Sequence, residues 1–204
     1  MSTLRSVTFI AALACSPLAG AANLLVNGGF ESNFTGWVTT GGAAIRSANP
    51  APQEGAKYAY GSNTALYTLR QDVDLLAAGF TAAQIDAGSL VAEFGGWQAG
   101  FDTQTDEGKI SLLMLDASGG PIGNATLEFF HSNSTWVLQS GTTAVAAQTR
   151  ALQFLFEGVR HAGSNDDAYL DGAFVQVSAV PLPATLPLLL PALGVLLRRK
   201  TGEV

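Results

Sequence analysis

Between residues 23 and 179 the apolar positions come in short runs with a period of two, broken repeatedly by Gly, Asn, Asp and Ser. The clearest run is 151–159, where Leu152, Phe154 and Phe156 fall on one face and Gln153, Leu155 and Glu157 on the other. Successive side chains of a strand point to opposite faces, so this alternation predicts a strand with one buried side. Ala173, Val175 and Val177 repeat the habit near the end of the region. Residues 90–97 and 110–116 are further strand candidates, and Ala117-Ser118-Gly119-Gly120 is the turn that closes the second. One short helix is predicted at 81–87, because Thr81 and Gln84 have capping-box spacing and Gly88 stands where a helix commonly ends in the left-handed region. Many short strands, frequent turns and little helix predict an all-β protein, a β-sandwich of the jelly-roll type.

The two ends break this pattern. Residues 1–22 carry Arg5, an apolar stretch at 7–14 and then Ala19-Gly20-Ala21, which are the charge, apolar core and small-x-small site of a secretory signal peptide. Cleavage there starts the mature chain near Asn23; a competing reading, acylation of Cys15, rests on Leu13-Ala14-Cys15. At the other end, residues 182–197 are uncharged but interrupted by Pro183, Pro187 and Pro191, and Arg198-Arg199-Lys200 follows. A membrane helix takes about 20 apolar residues, and proline removes a backbone donor, so this is a marginal span. The basic cluster would stay cytoplasmic, leaving everything before Val180 on the outer side of the membrane. Three segments result: a signal peptide at 1–22, a β-sandwich domain at 23–179, and a C-terminal segment at 180–204 with a short apolar helix at 186–197.

Val180-Pro181-Leu182-Pro183-Ala184, with the apolar helix and the Arg198-Arg199-Lys200 cluster behind it, resembles the VPLPA variant of the PEP-CTERM class of bacterial sorting signals. That resemblance implies an exosortase-type membrane protease as partner. It also implies an exported protein, held transiently in the membrane by its C-terminus and then passed to the cell surface or beyond. The other reading of the same residues is a permanent single-pass anchor.

Charge narrows the partners. The 23–179 region has six basic residues (Arg46, Lys57, Arg70, Lys109, Arg150, Arg160) against fifteen acidic ones, which argues against nucleic acid, whose binding depends on neutralising phosphates. The region has no cysteine, so an exported domain of this kind relies on burial or a metal rather than disulfides. No metalloprotease motif, nucleophile elbow, phosphate loop or dinucleotide fingerprint occurs. A glycosidase needs two carboxylates flanking a sugar, and the sequence singles out no such pair. His131 and His161 read as hydrogen-bonding residues of loops or surface. The expectation is a non-catalytic protein.

Asn27-Gly28-Gly29-Phe30-Glu31 with Gly36-Trp37, and Ala168-Tyr169-Leu170-Asp171 near the other end, resemble the opening and closing segments of galactose-binding-like jelly rolls, including several carbohydrate-binding families. Gly172 stands where the family pattern usually has Asn. The resemblance implies first and last strands lying side by side and sharing a structural calcium ion. Its pattern assigns Glu31 and Asp171 as carboxylate ligands, completed by carbonyls such as those of Gly28 and Lys57. Calcium takes six to eight oxygens at about 2.3 to 2.6 Å. The remaining acids have plainer expectations: 102–108 a solvated loop, and Asp166-Asp167 turn formers. For a ligand, Trp37 and Trp136 are expected to pack inward, while Trp97 and Phe101, in the Gly-rich stretch 95–100 and beside it, are expected to be loop-borne contacts. The function implied is retention of extracellular polysaccharide at the surface. The alternatives are a matrix protein without a specific ligand and, after it, a glycan-active hydrolase.

Overall fold

The computed structural model describes residues 21–131 and 133–180. The signal segment, apart from residues 21 and 22, and the C-terminal segment beyond Val180 lie outside that range, as does the basic cluster 198–200. Ten strands and one helix follow in order: β1 Val38–Thr40, β2 Ala43–Arg46, β3 Tyr58–Gly61, β4 Leu66–Asp74, α1 Ala82–Asp86, β5 Leu90–Ala99, β6 Glu107–Leu115, β7 Pro121–Phe130, β8 Val137–Ala144, β9 Ala151–Val159 and β10 Asp166–Ala179. They form two five-stranded sheets, the first ordered β1-β4-β9-β6-β7 and the second β2-β3-β10-β5-β8. Neighbouring strands pair antiparallel throughout both sheets. This is the expected β-sandwich, and no helix among the described residues is long and apolar enough to cross a membrane.

The alternation read from the sequence decides which faces meet. Leu152, Phe154 and Phe156 of β9 are fully buried and pack with Leu69, Ile110, Leu112, Phe94 and Val175 in one core. Trp37 belongs to that core as expected, tilted against Phe30 at 5.3 Å and edge-on to Phe154 at 5.7 Å between centroids. Its indole N–H donates to the Asn27 carbonyl at 3.0 Å, so the polar handle of the ring is satisfied inside. The helix is held by the capping box: Thr81 accepts from the Gln84 N–H while the Gln84 side chain accepts from the Thr81 N–H, and Gly88 follows at φ +64°.

The N-terminal stretch runs along the last strand. Leu24 N–H donates to Val175 O at 2.7 Å, Ala173 N–H donates to Gly28 O at 3.0 Å, and the Asn23 side chain bonds both Val175 N–H and Ala173 O. Gly28 is required there, since a Cβ would overlap the Ala173 carbonyl. β10 itself is longer than expected and carries a bulge. Asp171 pairs with Trp97 and Phe174 with Gly95, so three steps on β10 match two on β5. Gly172 absorbs the kink at φ +52°, which turns Asp171 outward while Ala173 stays in the core.

Candidate functional site

The outer face of the second sheet gathers a second cluster of aromatic residues. β3 contributes Tyr58 and Tyr60, β10 Tyr169, β5 Trp97 and Ala99, and β2 ends in Arg46. Trp136, just before β8, stands edge-on to Tyr58 with centroids 5.2 Å apart. The inward position expected for Trp136 is therefore corrected: it lies on the outer face. Its N–H donates to Ala51 O at 2.8 Å.

That bond is one of several that lay the 47–57 loop across the face. The Tyr58 hydroxyl donates to Ala48 O at 2.9 Å, and Asp171 Oδ2 accepts from the Gln53 and Glu54 N–H groups at 2.9 and 3.1 Å. From the other side Glu31 Oε1 accepts from the Ala56 and Lys57 N–H groups at 2.8 and 2.9 Å. The two carboxylates assigned to calcium thus grip one loop by its backbone amides. The residues present do not fit a calcium shell in this arrangement, because the loop turns donors, not carbonyls, toward both acids. Asp171 Oδ1 also accepts from Gly172 N–H at 2.8 Å, and the Gly28 carbonyl is engaged by Ala173. Among the described residues no group of three or more His, Cys, Asp or Glu side chains is placed to hold a metal. Burial pushes the Asp171 carboxyl up to about 6, against the pull of its three amides.

Toward the start of β10 the face opens into a cleft of about 150 Å³ lined by Arg46, Phe101, Gln104, Ser164, Asn165 and Asp167. Arg46 dominates it. One guanidinium nitrogen donates to the Tyr169 hydroxyl at 2.6 Å and lies 3.5 Å from Asp167 Oδ1, which also accepts from Tyr169 Oη at 2.8 Å. The guanidinium carbon stands 5.1, 5.5 and 5.9 Å from the ring centroids of Tyr60, Tyr169 and Phe101. Such contacts are worth about 0.5 to 1 kcal/mol each at exposed sites, enough to fix a planar cation in one orientation. The Arg46 side chain stays 26% exposed, so donors of its fork remain available to a ligand. Burial pushes the Asp167 carboxyl up, opposed by its bonds to Tyr169 and Arg46, and pushes the Tyr169 phenol well above its ordinary range, leaving it a neutral donor.

The far wall of the cleft is held from inside by Asp106, which is fully buried and accepts from His161, Ala162 and Asp167 N–H groups at 2.7, 2.9 and 2.8 Å. The solvated 102–108 loop expected from sequence is therefore corrected: Asp106 is buried and Glu107 and Gly108 open strand β6, while Asp102 is exposed as expected. Charge-assisted bonds of this kind are about twice as strong as neutral ones, and they shape the 160–167 segment. Asp166 and Asp167 are likewise buried in β10 rather than turn acids, although Asp166 Oδ1 does accept from Ala168 N–H two residues on.

Behind the wall lies a polar interior. The Gln98 amide, both His131 ring nitrogens and Asp166 Oδ2 are buried with no partner among the described residues. His131, expected to be a hydrogen-bonding loop residue, is instead 1% exposed and edge-on to Phe129 at 4.9 Å; burial pushes its ring down to about 4. His161 is exposed and meets Glu107 at 3.3 Å.

Of the two expected ligand contacts, Phe101 is in a loop, exposed, at the cleft rim. Trp97 is on strand β5 rather than in a loop, half-buried, beside Leu138 across the β5–β8 pair. A lone arginine such as Arg46 carries no motif in the sequence, and Tyr169 stands there only as part of the closing segment 168–171.

No protein-family model matches the chain, and no curated protein matches it by sequence. Solved structures do resemble it. A family 61 carbohydrate-binding module, solved with β-1,4-galactotriose, matches with a TM-score of 0.55 at 16% identity over 78% of this chain and 99% of that one. A family 16 carbohydrate-binding module matches with 0.52 at 18% identity over 75% and 99%. A Stig cyclase from Fischerella sp. TAU matches with 0.59 at 11% identity over 80% and 100%. Binding modules and an enzyme thus share this architecture, and at these identities the likeness establishes the jelly-roll fold and nothing finer.

Proposed function

We propose that the protein is a non-catalytic carbohydrate-binding module whose primary contact is the Arg46 cleft. The observation that carries this reading is the Arg46 guanidinium, oriented by Asp167 and Tyr169 among three aromatic rings and still partly open to solvent. A sugar presents apolar C–H faces edged with hydroxyls, and a site for it combines an aromatic surface with a few fixed donors and acceptors. Phe101 supplies the surface, Arg46 the donors, and Asp167 with the Gln104 and Asn165 side chains the remaining polar contacts. The similarity to carbohydrate-binding modules supports the reading. A glycan array probed with the mature chain should give discrete signals that Arg46→Ala and Phe101→Ala each weaken at least tenfold. Undiminished signals in both variants would remove the cleft from consideration. No signal, together with self-association, would favour the ligand-free matrix reading.

The ends of the chain support export and sorting as the route: a signal peptide at 1–22, and the segment from Val180 to Lys200 as a substrate of an exosortase-type protease that leaves the domain at the cell surface or outside the cell.

A further inference from the structure

Trp97 differs from the other two tryptophans. The indole N–H of Trp37 is spent on Asn27 O and that of Trp136 on Ala51 O, whereas among the described residues the N–H of Trp97 has no acceptor. Its position is set by the β10 bulge. Trp97 pairs with Asp171, and the next residue, Gly172, brings bare backbone against the indole. A Cβ on Gly172 would stand 3.0 Å from Trp97 Cδ1, the ring atom bonded to the N–H nitrogen, and 3.7 Å from Glu54 Oε1. Glycine puts no side chain between them. The Glu54 carboxylate is exposed and forms no hydrogen bond with the described residues, while its backbone N–H is tied to Asp171. A Cβ on Gly29 would also crowd Glu54 Oε1, at 2.6 Å. The two glycines therefore let the indole and the Glu54 carboxylate pack onto bare backbone near each other, one carrying an unused donor and the other an unused acceptor among the described residues, with the exposed Leu138 beside the indole.

The chemistry of that pair selects its occupant. A group that bridges the two must accept from Trp97 N–H and donate to the Glu54 carboxylate. A hydroxyl does both, whereas a carboxylate only accepts and an ammonium only donates. Glu54 and the neighbouring Asp171 also repel an anionic ligand. We propose that Trp97, Gly172 and Glu54 form a second sugar-contact site, specific for a hydroxyl of an uncharged sugar unit, separate from the Arg46 cleft and on the other side of the 47–57 loop. Trp97 lies on β5 and Phe101 in the loop two residues beyond its end. With the 47–57 loop between the two sites, a ligand touching both is a stretch of neutral polysaccharide chain rather than a single sugar. This deepens the carbohydrate-binding reading and rests on it.

The test follows the indole N–H resonances of the full mature chain by two-dimensional NMR, titrated with neutral methyl β-galactoside, with β-1,4-galactotriose, and with galacturonate and galactosamine as charged counterparts. Expected is a saturable shift of the Trp97 indole with the neutral sugars, smaller or absent with the charged ones. Trp97→Phe keeps the ring but deletes the donor, and Glu54→Ala keeps the loop amide but deletes the acceptor. Each should weaken the neutral sugars about three- to tenfold, the worth of one hydrogen bond. If glycans bind with dependence on Arg46 and Phe101 but none moves the Trp97 indole, the second site is wrong and the cleft stands. A Trp97 shift that persists undiminished in Glu54→Ala, or equals that given by galacturonate, overturns the hydroxyl assignment, and no response at either site overturns both readings.

Discussion

At the scale of single residues, the contrast between two buried aspartates explains the electrostatics behind the cleft. Asp106 accepts three amides and is fully spent. Asp166 accepts one, at 3.2 Å, and its second oxygen has no partner among the described residues. Around it stand Asp106 and Asp167, with Arg160 as the opposing charge and the Tyr67 phenol on β4. Burial pushes the Asp166 carboxyl up to about 7. A carboxyl raised in the folded state favours folding fully below its unfolded value near 4, and that advantage is lost as pH rises through 7. Asp166→Asn removes the buried charge, so the variant should be more stable than the parent above pH 7, by roughly 2 kcal/mol. The gain should vanish near pH 4, where the parent is already neutral. Urea unfolding of both proteins across this range checks it; an Asn variant that becomes less stable than the parent as pH rises would show that Asp166 acts as a charged acceptor. None of this was legible in the sequence, where Asp166-Asp167 has the composition of an ordinary turn. What separates a turn acid from a buried one is the chain laid over it, and here that is the distant 104–108 segment.

At the scale of elements, periodicity carried well where one face of a strand is buried and the other is not. β9 was found at its full length, and α1 at its capping box, because those signals are local. β10 was read only in its second half, since its first half is buried on both faces: Ala168 and Leu170 in the core, Tyr169 under the aromatic cluster. The 47–57 loop had no local signal at all, and its placement depends on Asp171 and Glu31, more than a hundred residues apart. Both acids bind that loop through its amides. The melting temperature of the mature chain should be the same in excess calcium and in chelator, because only an ion that binds the native state raises it. Asp171→Ala and Glu31→Ala should each lower it, the former more because Asp171 is fully buried and leaves three amides without an acceptor. A calcium-dependent rise in the parent would restore the metal to this site.

At the scale of the whole molecule, β10 links the candidate site to the C-terminal segment. It begins with Asp166 and Asp167 at the Arg46 cleft and ends at Ala179, after which Val180 N–H donates to Ser89 O at 2.8 Å. Fourteen residues of strand span roughly 40 Å at about 3.3 Å per residue. The chain therefore leaves the sandwich at the end opposite the cleft, and a body held by its C-terminus would turn the cleft away from whatever holds it. That geometry serves a permanent anchor and a temporary one equally well, so the distinction has to come from the product. Mass spectrometry of the protein recovered from the cell surface or medium should find the domain intact through its last strand and lacking the 186–200 stretch. Deleting the partner protease, or changing Pro181 and Pro183 to Ala, should leave that stretch attached and the protein in the membrane fraction. If the untouched host already delivers a chain that ends at Val204, the segment is a permanent anchor and the sorting reading fails, while the cleft, at the far end of β10, keeps the same outward aspect.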